Sequence, residues 1–384
     1  MNARRFWVVG LLIVSAWGVI TGGASAAGQP GCGNWQAWQD YKEDFLQDDG
    51  RVIDYFAEAR STSEGQAYSL FFALVAGDRP AFDRILKWTQ LNLSGGDLSS
   101  RLMAWKWGQR PDRSWGVIDG NPAGDADVWL AYTLHQAGNL WNDAALRDVA
   151  GRVRTRIESE LVVSVPGAGL VLLPGAEGFS LPGGGWQLNP SYLPLPVLRG
   201  LAKEAPRGPW RGLMKSALVM FDAVTPQRMA PDWVVVHPGT GFRLDPTIGT
   251  AGSYDAIRNY LWAGMMPAWD PDKARLMSRL RGMRTTLESR PVPPESIDAL
   301  TGRGEGAGSL GYSAALLPFL ASVGAGKALA QQQARLADFR RSPKVYYERA
   351  LMLFGLGWMD GRYRFERDGH LVVGWGARCT RQRV

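Results

Sequence analysis

The feature that most restricts the fold of this chain is a long series of helix-length segments in which apolar residues recur every three or four positions. Roughly a dozen such segments follow one another, with only short hairpins between them. Helices of this kind must bury their apolar faces against neighbouring helices, and a closed ring of helices leaves no exposed end. No short repeat period is visible, which disfavours a tetratricopeptide-type solenoid. The sequence therefore predicts an all-α array of helical hairpins.

Capping residues, glycines and prolines give the expected limits of these segments. Helices are predicted at residues 34–45, 63–76, 81–93, 125–141, 142–161, 191–202, 209–224, 254–265, 270–288, 309–322, 324–340 and 343–356. Hairpins are expected at 162–175 and at 363–375, where the second turns at Asp368 and Gly369. Residues 98–115 contain three tryptophans among polar residues, which suits a loop or short helix that lines a cleft.

The beginning of the chain has the pattern of a secretory signal peptide. Arg4 and Arg5 precede an apolar run at residues 6–20, and small residues at 24–26 form a cleavage site. We therefore expect residues 1–26 to be removed and the mature protein to be periplasmic or secreted. Residues 27–384 show no linker or change in composition, so one large catalytic domain is expected.

The chain has two cysteines, Cys32 and Cys379, near the two ends of the mature protein. An oxidising compartment allows them to pair, and we predict a disulfide that joins the termini. Two unrelated buried thiols are the alternative. Lipid attachment at Cys32 is disfavoured, because residues 29–31 do not resemble a lipid-attachment box.

Charge and aromatic content indicate the class of ligand. The net charge of +7 includes two arginines of the predicted signal peptide, and the remaining excess is spread along the chain, which argues against nucleic-acid binding. Two cysteines without clustered histidines cannot build a zinc site. The 17 tryptophans and 11 tyrosines are more informative. Flat aromatic faces exposed in a groove suit the C–H faces of sugars.

Carboxylates at the starts of predicted helices are the strongest candidates for chemistry. Glu64 follows Ser63, the expected N-cap, at the start of a strongly apolar helix, although it could simply interact with the helix dipole. Asp125 and Asp127 begin another helix, where either could be a cap. Asp255 begins a third, where an ion pair with Arg258 is the simpler explanation. In a barrel of alternating helices, all these helix ends can meet at one rim.

Several long motifs resemble those of glycoside hydrolase family eight. They are STSEGQAYS, FDRILKWTQLNL, AGDADVWLAYTLHQAGNLW, LNPSYLPLPVL, SYDAIRNYLWAGMMP and GYSAALLPFL, in the order of that family, and the resemblance spans residues 32–380. It implies an (α/α)6 barrel with short β-hairpin insertions, and hydrolysis of internal β-1,4-glucosidic bonds of cellulose with inversion. Within the family, the chain most resembles the periplasmic endoglucanases of bacterial cellulose synthesis operons. That implies a role in cellulose biosynthesis and a loose association with the synthase complex.

The resemblance also implies roles for individual residues. Glu64 matches the general acid, Asp255 the general base, and Asp125 the residue that holds the distorted sugar. Tyr254 and Arg258 match the close support of the base. The mechanism requires no metal or organic cofactor, and the substrate is a β-1,4-glucan chain. A glucan-binding scaffold without catalysis, or a hydrolase of chitosan or xylan with the same fold, are the alternatives.

Two further expectations concern the surroundings of these carboxylates. A helix N-terminus stabilises a carboxylate, so Glu64 needs apolar burial, or the negative charge of Asp125, to raise its pKa and keep its proton. Position 124 is glycine, where the family usually has Ser or Thr, so a hydroxyl beside Asp125 is lost. The candidates for sugar stacking, each with core packing as the alternative, are Trp105, Trp107, Tyr192 and Trp358.

Overall fold

The computed structural model describes residues 34–337 and 344–375, and this part of the chain is mainly helical. Its α-helices are α1 (Gln36–Phe45), α2 (Ser63–Ala76), α3 (Arg79–Leu93), α4 (Gly124–Leu140), α5 (Ala144–Glu160), α6 (Leu195–Glu204), α7 (Trp210–Val224), α8 (Ile257–Met265), α9 (Lys273–Leu280), α10 (Gly282–Ser289), α11 (Leu310–Ser322), α12 (Gly326–Arg335) and α13 (Tyr346–Met359). A 3₁₀ turn at Pro190–Tyr192 precedes α6.

Six of these helices form a closed inner ring. Helices α2, α4, α6, α8, α11 and α13 each pack against the next, and α13 packs back against α2. The inner helices are apolar nearly all round, and all nine residues of α8 are buried. The outer helices bury only a stripe, as in α5, where four of seventeen residues are buried. The prediction of an (α/α)6 barrel is confirmed.

Short strands lie in the connections between helices. They are β1 (Ser61–Thr62), β2 (Ala104–Gln109), β3 (Trp115–Pro122), β4 (Val162–Val165), β5 (Gly169–Leu172), β6 (Ser180–Leu181), β7 (Gly185–Leu188), β8 (Val234–His237), β9 (Gly241–Arg243), β10 (Ala251–Gly252), β11 (Ser296–Asp298), β12 (Gly304–Glu305), β13 (Tyr363–Phe365) and β14 (Leu371–Val373). They pair antiparallel in the orders β1-β2-β3, β4-β5, β6-β7-β8-β9, β10-β11-β12 and β13-β14.

Two predicted hairpins are present in the structure, but one strand and one sheet were not predicted. The hairpins predicted at 162–175 and 363–375 are confirmed as β4-β5 and β13-β14. The loop or short helix expected at 98–115 is wrong, because β2 begins inside it and pairs with both β1 and β3. The four-stranded sheet was not predicted. Its strands are two to four residues long, and only β7 and β8 pair across the segment that contains α6 and α7, so no local pattern joins the hairpins β6-β7 and β8-β9 into one sheet.

Helix starts near proline and glycine differ from the predicted ones. Helix α6 begins at Leu195 instead of residue 191, because Leu193, the residue before Pro194, is held away from helical conformation. The segment predicted as one helix at 270–288 is divided into α9 and α10 at Gly282. Helix α8 begins at Ile257, so Asp255 lies in the turn before it.

Parts of the predicted organisation lie outside the described residues, namely the signal peptide at 1–26 and both cysteines of the predicted disulfide, Cys32 and Cys379. Within the described residues, no helix is long and apolar enough to cross a membrane.

Candidate active site

The N-terminal ends of the inner helices meet at one rim of the barrel. Glu64 and Asp125 are each the second residue of their helices, α2 and α4. Asp255 lies just before α8, Ser191 lies in the 3₁₀ turn before α6, and Tyr347 is the second residue of α13. Three of the inner helix starts are directly connected by the side-chain hydrogen bonds described next. We call this end of the barrel the open rim.

Arg258, on the first turn of α8, joins the two aspartates. Arg258 is 4% exposed, and its Nη1 donates to Asp125 Oδ2 at 3.0 Å and to the Tyr68 hydroxyl at 3.1 Å. Its Nη2 donates to Asp255 Oδ1 at 2.6 Å and to Ser191 Oγ at 2.8 Å. The rigid fork of donors in a guanidinium suits this use, since it fixes both carboxylates at once. Asp125 is 1% exposed, whereas the Asp255 side chain is 33% exposed.

Glu64 has the protonation behaviour expected of an acid. Burial raises the pKa of Glu64 to about 7, and the negative charge of Asp125 acts in the same direction. Arg258 and a 3.3 Å hydrogen bond from Ser63 Oγ oppose this rise only in part. The helix N-terminus favours the charged carboxylate, but burial has the larger effect on the pKa of Glu64. Glu64 therefore keeps its proton until the pH is close to neutral.

The cap of α2 is Thr62, not Ser63 as predicted. Thr62 has extended backbone angles, and its hydroxyl accepts from the Gly65 N–H at 3.1 Å. Ser63 is already helical. Thr62 satisfies the Gly65 N–H, whereas the Glu64 N–H donates to the Glu64 carboxyl itself, which opposes the rise of the Glu64 pKa without cancelling it. The same Thr62 pairs with Lys106 of β2, so the hairpin β2-β3 is attached directly to the start of the helix that carries Glu64.

The two aspartates at the start of α4 have different surroundings. Asp125 Oδ1 accepts from the Ala126 N–H at 2.9 Å and Oδ2 accepts from Tyr68 at 3.3 Å, and burial raises the pKa of Asp125 against the opposing charge of Arg258. Asp127 is fully buried and accepts from the Met103 N–H at 3.1 Å. Burial raises the pKa of Asp127 well above its usual range. Asp127 therefore anchors the segment before β2, whereas Asp125 bonds to Arg258.

Gly124 is explained by its packing. A Cβ atom at this position would lie 2.6 Å from the Leu173 carbonyl oxygen, and the Gly124 N–H donates to the Pro174 carbonyl at 2.8 Å. The space that a Ser or Thr side chain needs is filled by the segment after β5. The absence of a hydroxyl beside Asp125 is thus built into the backbone of this chain.

Two of the candidate stacking residues lie beside this network. Trp105 is partly exposed on β2 and precedes Lys106, the partner of Thr62. The ring of Tyr192 lies 5.6 Å from the Arg258 guanidinium. Trp107 is partly exposed but already packed, since its ring stacks on Trp115 at 5.4 Å. Tyr254 is 47% exposed, and its hydroxyl donates to Glu295 at 3.3 Å.

Trp358 is not brought to the open rim, and its selection as a stacking residue was wrong. It lies near the C-terminal end of α13, twelve residues after Tyr346, which is about 18 Å along a helix axis. Its ring is covered by the Arg364 guanidinium at 4.3 Å. Residues at opposite ends of one inner helix belong to opposite ends of the barrel, and the sequence around Trp358 does not reveal which end it occupies.

Sequence reasoning missed four residues of the site. Tyr68 and Ser191 bond to Arg258, the Tyr347 hydroxyl donates to the Tyr254 carbonyl at 2.6 Å, and Asp232 bonds to the turn that holds Asp255. Tyr68 and Ser191 stand inside quoted motifs, so the motifs could have pointed to them. Tyr347 and Asp232 reach the site from distant segments, with no local signal.

Most of the chain matches one family of known proteins. The model of the family described as glycosyl hydrolases family 8 matches residues 13–361. A protein named endoglucanase from Escherichia coli (strain K12) is 42% identical over 382 residues, which cover 99% of each chain. An endoglucanase from Xanthomonas axonopodis pv. citri (strain 306) is 43% identical over 98% of each chain.

Solved structures give the same result. The crystal structure of endo-1,4-D-glucanase from Vibrio fischeri ES114 is 39% identical, with a TM-score of 0.84, and the match covers 89% of this chain and 99% of that one. A family 8 endoglucanase from Klebsiella pneumoniae is 25% identical, with a TM-score of 0.70 over 85% of this chain and 100% of that one. The chain therefore belongs to glycosyl hydrolase family 8.

Proposed function

We propose that this protein is an endo-β-1,4-glucanase that hydrolyses internal glucosidic bonds of cellulose with inversion. The observation that carries the proposal is the pair of carboxyl groups at the open rim. Glu64 has a pKa raised to about 7 by burial, and the partly exposed Asp255 is paired with Arg258. The substrate follows from the relatives, which are named endoglucanase over nearly the full chain.

The two groups act on opposite sides of the sugar ring. Glu64 gives its proton to the glucosidic oxygen as the bond from that oxygen to the anomeric carbon breaks. Asp255 accepts a proton from a water whose oxygen forms the new bond to the same carbon. Arg258 holds Asp255 Oδ1, which leaves Oδ2 to take the proton of the water. An inverting enzyme needs roughly 6.5–9.5 Å between the carboxyls to admit this water.

Asp125 and Arg258 complete the site. Asp125 raises the pKa of Glu64 and, by the family resemblance, holds the distorted sugar at the cleavage point. Because Arg258 bonds to Asp125 and Asp255 together, it fixes the position of the base relative to the sugar. Trp105 and Tyr192 supply aromatic faces for neighbouring sugar units.

Reducing-sugar release from carboxymethyl cellulose tests this proposal. Glu64→Gln keeps the shape of the side chain but has no proton to give, so kcat should fall by about 10²–10⁴-fold. Glu43→Gln on the outer helix α1 is the matched control and should retain wild-type activity. A Glu64→Gln enzyme with a near wild-type rate would disprove the acid assignment. Release from chitosan or xylan but not cellulose would overturn the substrate, and no release from any polymer would favour a glucan-binding scaffold.

We also propose that the enzyme acts on cellulose during its synthesis, after export to the periplasm, in loose association with the synthase. The basic and apolar pattern of residues 1–26 supports export. Cell fractionation that recovers the mature protein only from the cytoplasm would contradict this placement.

A further inference from the structure

A carboxylate outside the proposed catalytic set holds the turn that carries Asp255. Asp232 lies between α7 and β8. Its Oδ1 accepts from the Ser253 N–H at 2.8 Å and from the Ala256 N–H at 2.7 Å, and its Oδ2 accepts from Ser253 Oγ at 2.6 Å. One side chain thus bonds to residues on both sides of the candidate base.

Asp232 also accepts the N–H that directly follows the candidate base. The N-cap position of α8 is Ala256, which has no side chain that can accept a hydrogen bond. The first N–H groups of α8, those of Ile257, Arg258 and Asn259, donate to backbone carbonyls of the preceding turn, so they need no side-chain cap. The Ala256 N–H donates to Asp232, while the Asp255 carboxylate bonds to Arg258.

Asp232 is itself fixed in place. Its own N–H donates to the Ala251 carbonyl at 2.8 Å, and the Ala230 N–H donates to the Tyr260 hydroxyl at 3.1 Å. The two segments are in close contact, since a Cβ atom on Gly252 would lie 2.0 Å from the Ala230 carbonyl oxygen. The bonds from Asp232 to the turn therefore start from a rigid support.

We propose that Asp232 is a positioning residue that fixes the Asp255 carboxylate against the attacking water. This inference rests on the proposed role of Asp255 as the base. Its physical basis is that a water and a carboxylate must be aligned with the anomeric carbon, and a misplacement of about 1 Å can cost about 100-fold in rate.

Two substitutions separate the geometry of Asp232 from its charge. Asp232→Asn keeps an oxygen at Oδ1 for both backbone N–H groups but removes the charge. Asp232→Glu keeps the charge but adds a methylene, which displaces the acceptor. A positioning role predicts that kcat falls by less than about 10-fold in the Asn variant and by about 100-fold in the Glu variant, with KM little changed in both.

Asp245→Ala is the matched control. Asp245 accepts from the Thr247 N–H at 3.0 Å and from Thr247 Oγ at 2.6 Å, so it holds a turn by the same kind of bonds as Asp232 does, but its partners do not flank the candidate base. Its kcat should equal that of wild type. Thermal unfolding of every variant shows whether a loss of activity is a loss of folded protein.

A substrate with an activated leaving group shows whether the loss of activity in the Asp232 variants concerns the base or the acid. A 2,4-dinitrophenyl β-cellotrioside releases a phenolate that needs little protonation, so Glu64→Gln should recover most of its activity on it. The loss in Asp232→Glu should remain, as should the loss in Asp255→Asn, since both concern the water.

Three results would overturn the positioning role of Asp232: a Glu variant as active as the Asn variant, recovery of the Glu variant on the dinitrophenyl substrate, or a change in KM without a change in kcat. An Asp255→Asn enzyme that retains wild-type activity would instead refute the base assignment itself. The two failures are therefore distinguishable in one set of assays.

Discussion

The two ends of the barrel differ in the groups that lie beside the termini of the inner helices. At the open rim, carboxylates lie at the helix N-termini, where free N–H groups and the helix dipole favour negative charge. At the other end, which we call the closed end, nitrogen donors satisfy the free carbonyls. These donors, with the carbonyl that each contacts, are Trp375 to Leu74, Arg147 to Gly138, Lys273 to Gly264 and Arg364 to Trp358.

The closed end is also filled by the hairpin β13-β14. Phe365 is 4% exposed and lies parallel to Phe71 of α2, with ring centroids 6.4 Å apart. The Tyr132 hydroxyl donates to the Gly369 carbonyl at 2.7 Å, and the Leu371 N–H donates to Gln136 Oε1 at 3.1 Å. Apolar packing and satisfied carbonyls stabilise this end, whereas the open rim keeps buried charges that cost free energy. The groups that stabilise the barrel and the candidate catalytic groups therefore lie at opposite ends of the helix axes.

The largest expected effect concerns stability at the closed end. Phe365→Ala removes a buried ring from the packing against Phe71, so the free energy of unfolding should fall by about 3–5 kcal/mol. The kcat of the folded fraction should remain near wild type. Chemical denaturation and carboxymethyl cellulose assays measure the two quantities. A large loss of kcat in folded Phe365→Ala protein would show that the two ends are not independent.

The next effect concerns the pH dependence at the open rim. Because the proposed acid Glu64 must hold its proton to act and burial raises its pKa to about 7, kcat/KM should fall as pH rises through about 7. The negative charge of Asp125 contributes to this value, so Asp125→Asn should move the fall to lower pH by about one unit. The pH profile of the residual activity measures the shift.

Glu64 should also make the free energy of unfolding decrease as pH rises. The folded-state pKa of Glu64 lies above that of an unfolded Glu, so the unfolded chain releases this proton first. The contribution of Glu64 is complete at low pH and is lost as pH rises from about 4.3 to about 7. Glu64→Gln should remove this part of the decline. A ¹³C NMR titration that gives Glu64 a pKa at or below that of a free Glu would contradict both expectations.

The smallest expected effect is a change in KM, which should differ between two tryptophan variants. Trp105→Ala at the open rim should raise KM for soluble cellulose by about 10-fold, which corresponds to about 1.4 kcal/mol of lost stacking. Trp358→Ala at the closed end should leave KM unchanged, because its ring lies against Arg364. Equal changes in KM for the two variants would contradict the placement of the groove at the open rim.

Much of the barrel could be predicted because its determinants are local. The apolar pattern of α2 and the glycine that ends it, Gly77 with φ of 68°, are visible in a short stretch of sequence. The same holds for the hairpins β4-β5 and β13-β14, which have turn residues between apolar runs. The closure of the ring into six helical pairs was implied by the family motifs and not by periodicity.

What could not be predicted depends on contacts between distant segments. Asp232 bonds to residues more than twenty positions away, and no local pattern marks it as part of the site. Strand β2 was taken for part of a loop or short helix, and its pairing with β1 lies across α2 and α3, where no local pattern reveals it. Trp358 was misplaced because the sequence around an aromatic residue does not show which end of the barrel it occupies.

Gly124 limits which side chains the start of α4 can accept. With the Leu173 carbonyl oxygen 2.6 Å from the place of a Cβ atom, substitution by Ser or Thr creates a steric clash. Such a substitution requires the backbone after β5 to withdraw. Anyone who wishes to engineer a hydroxyl beside Asp125 must therefore redesign that loop together with position 124.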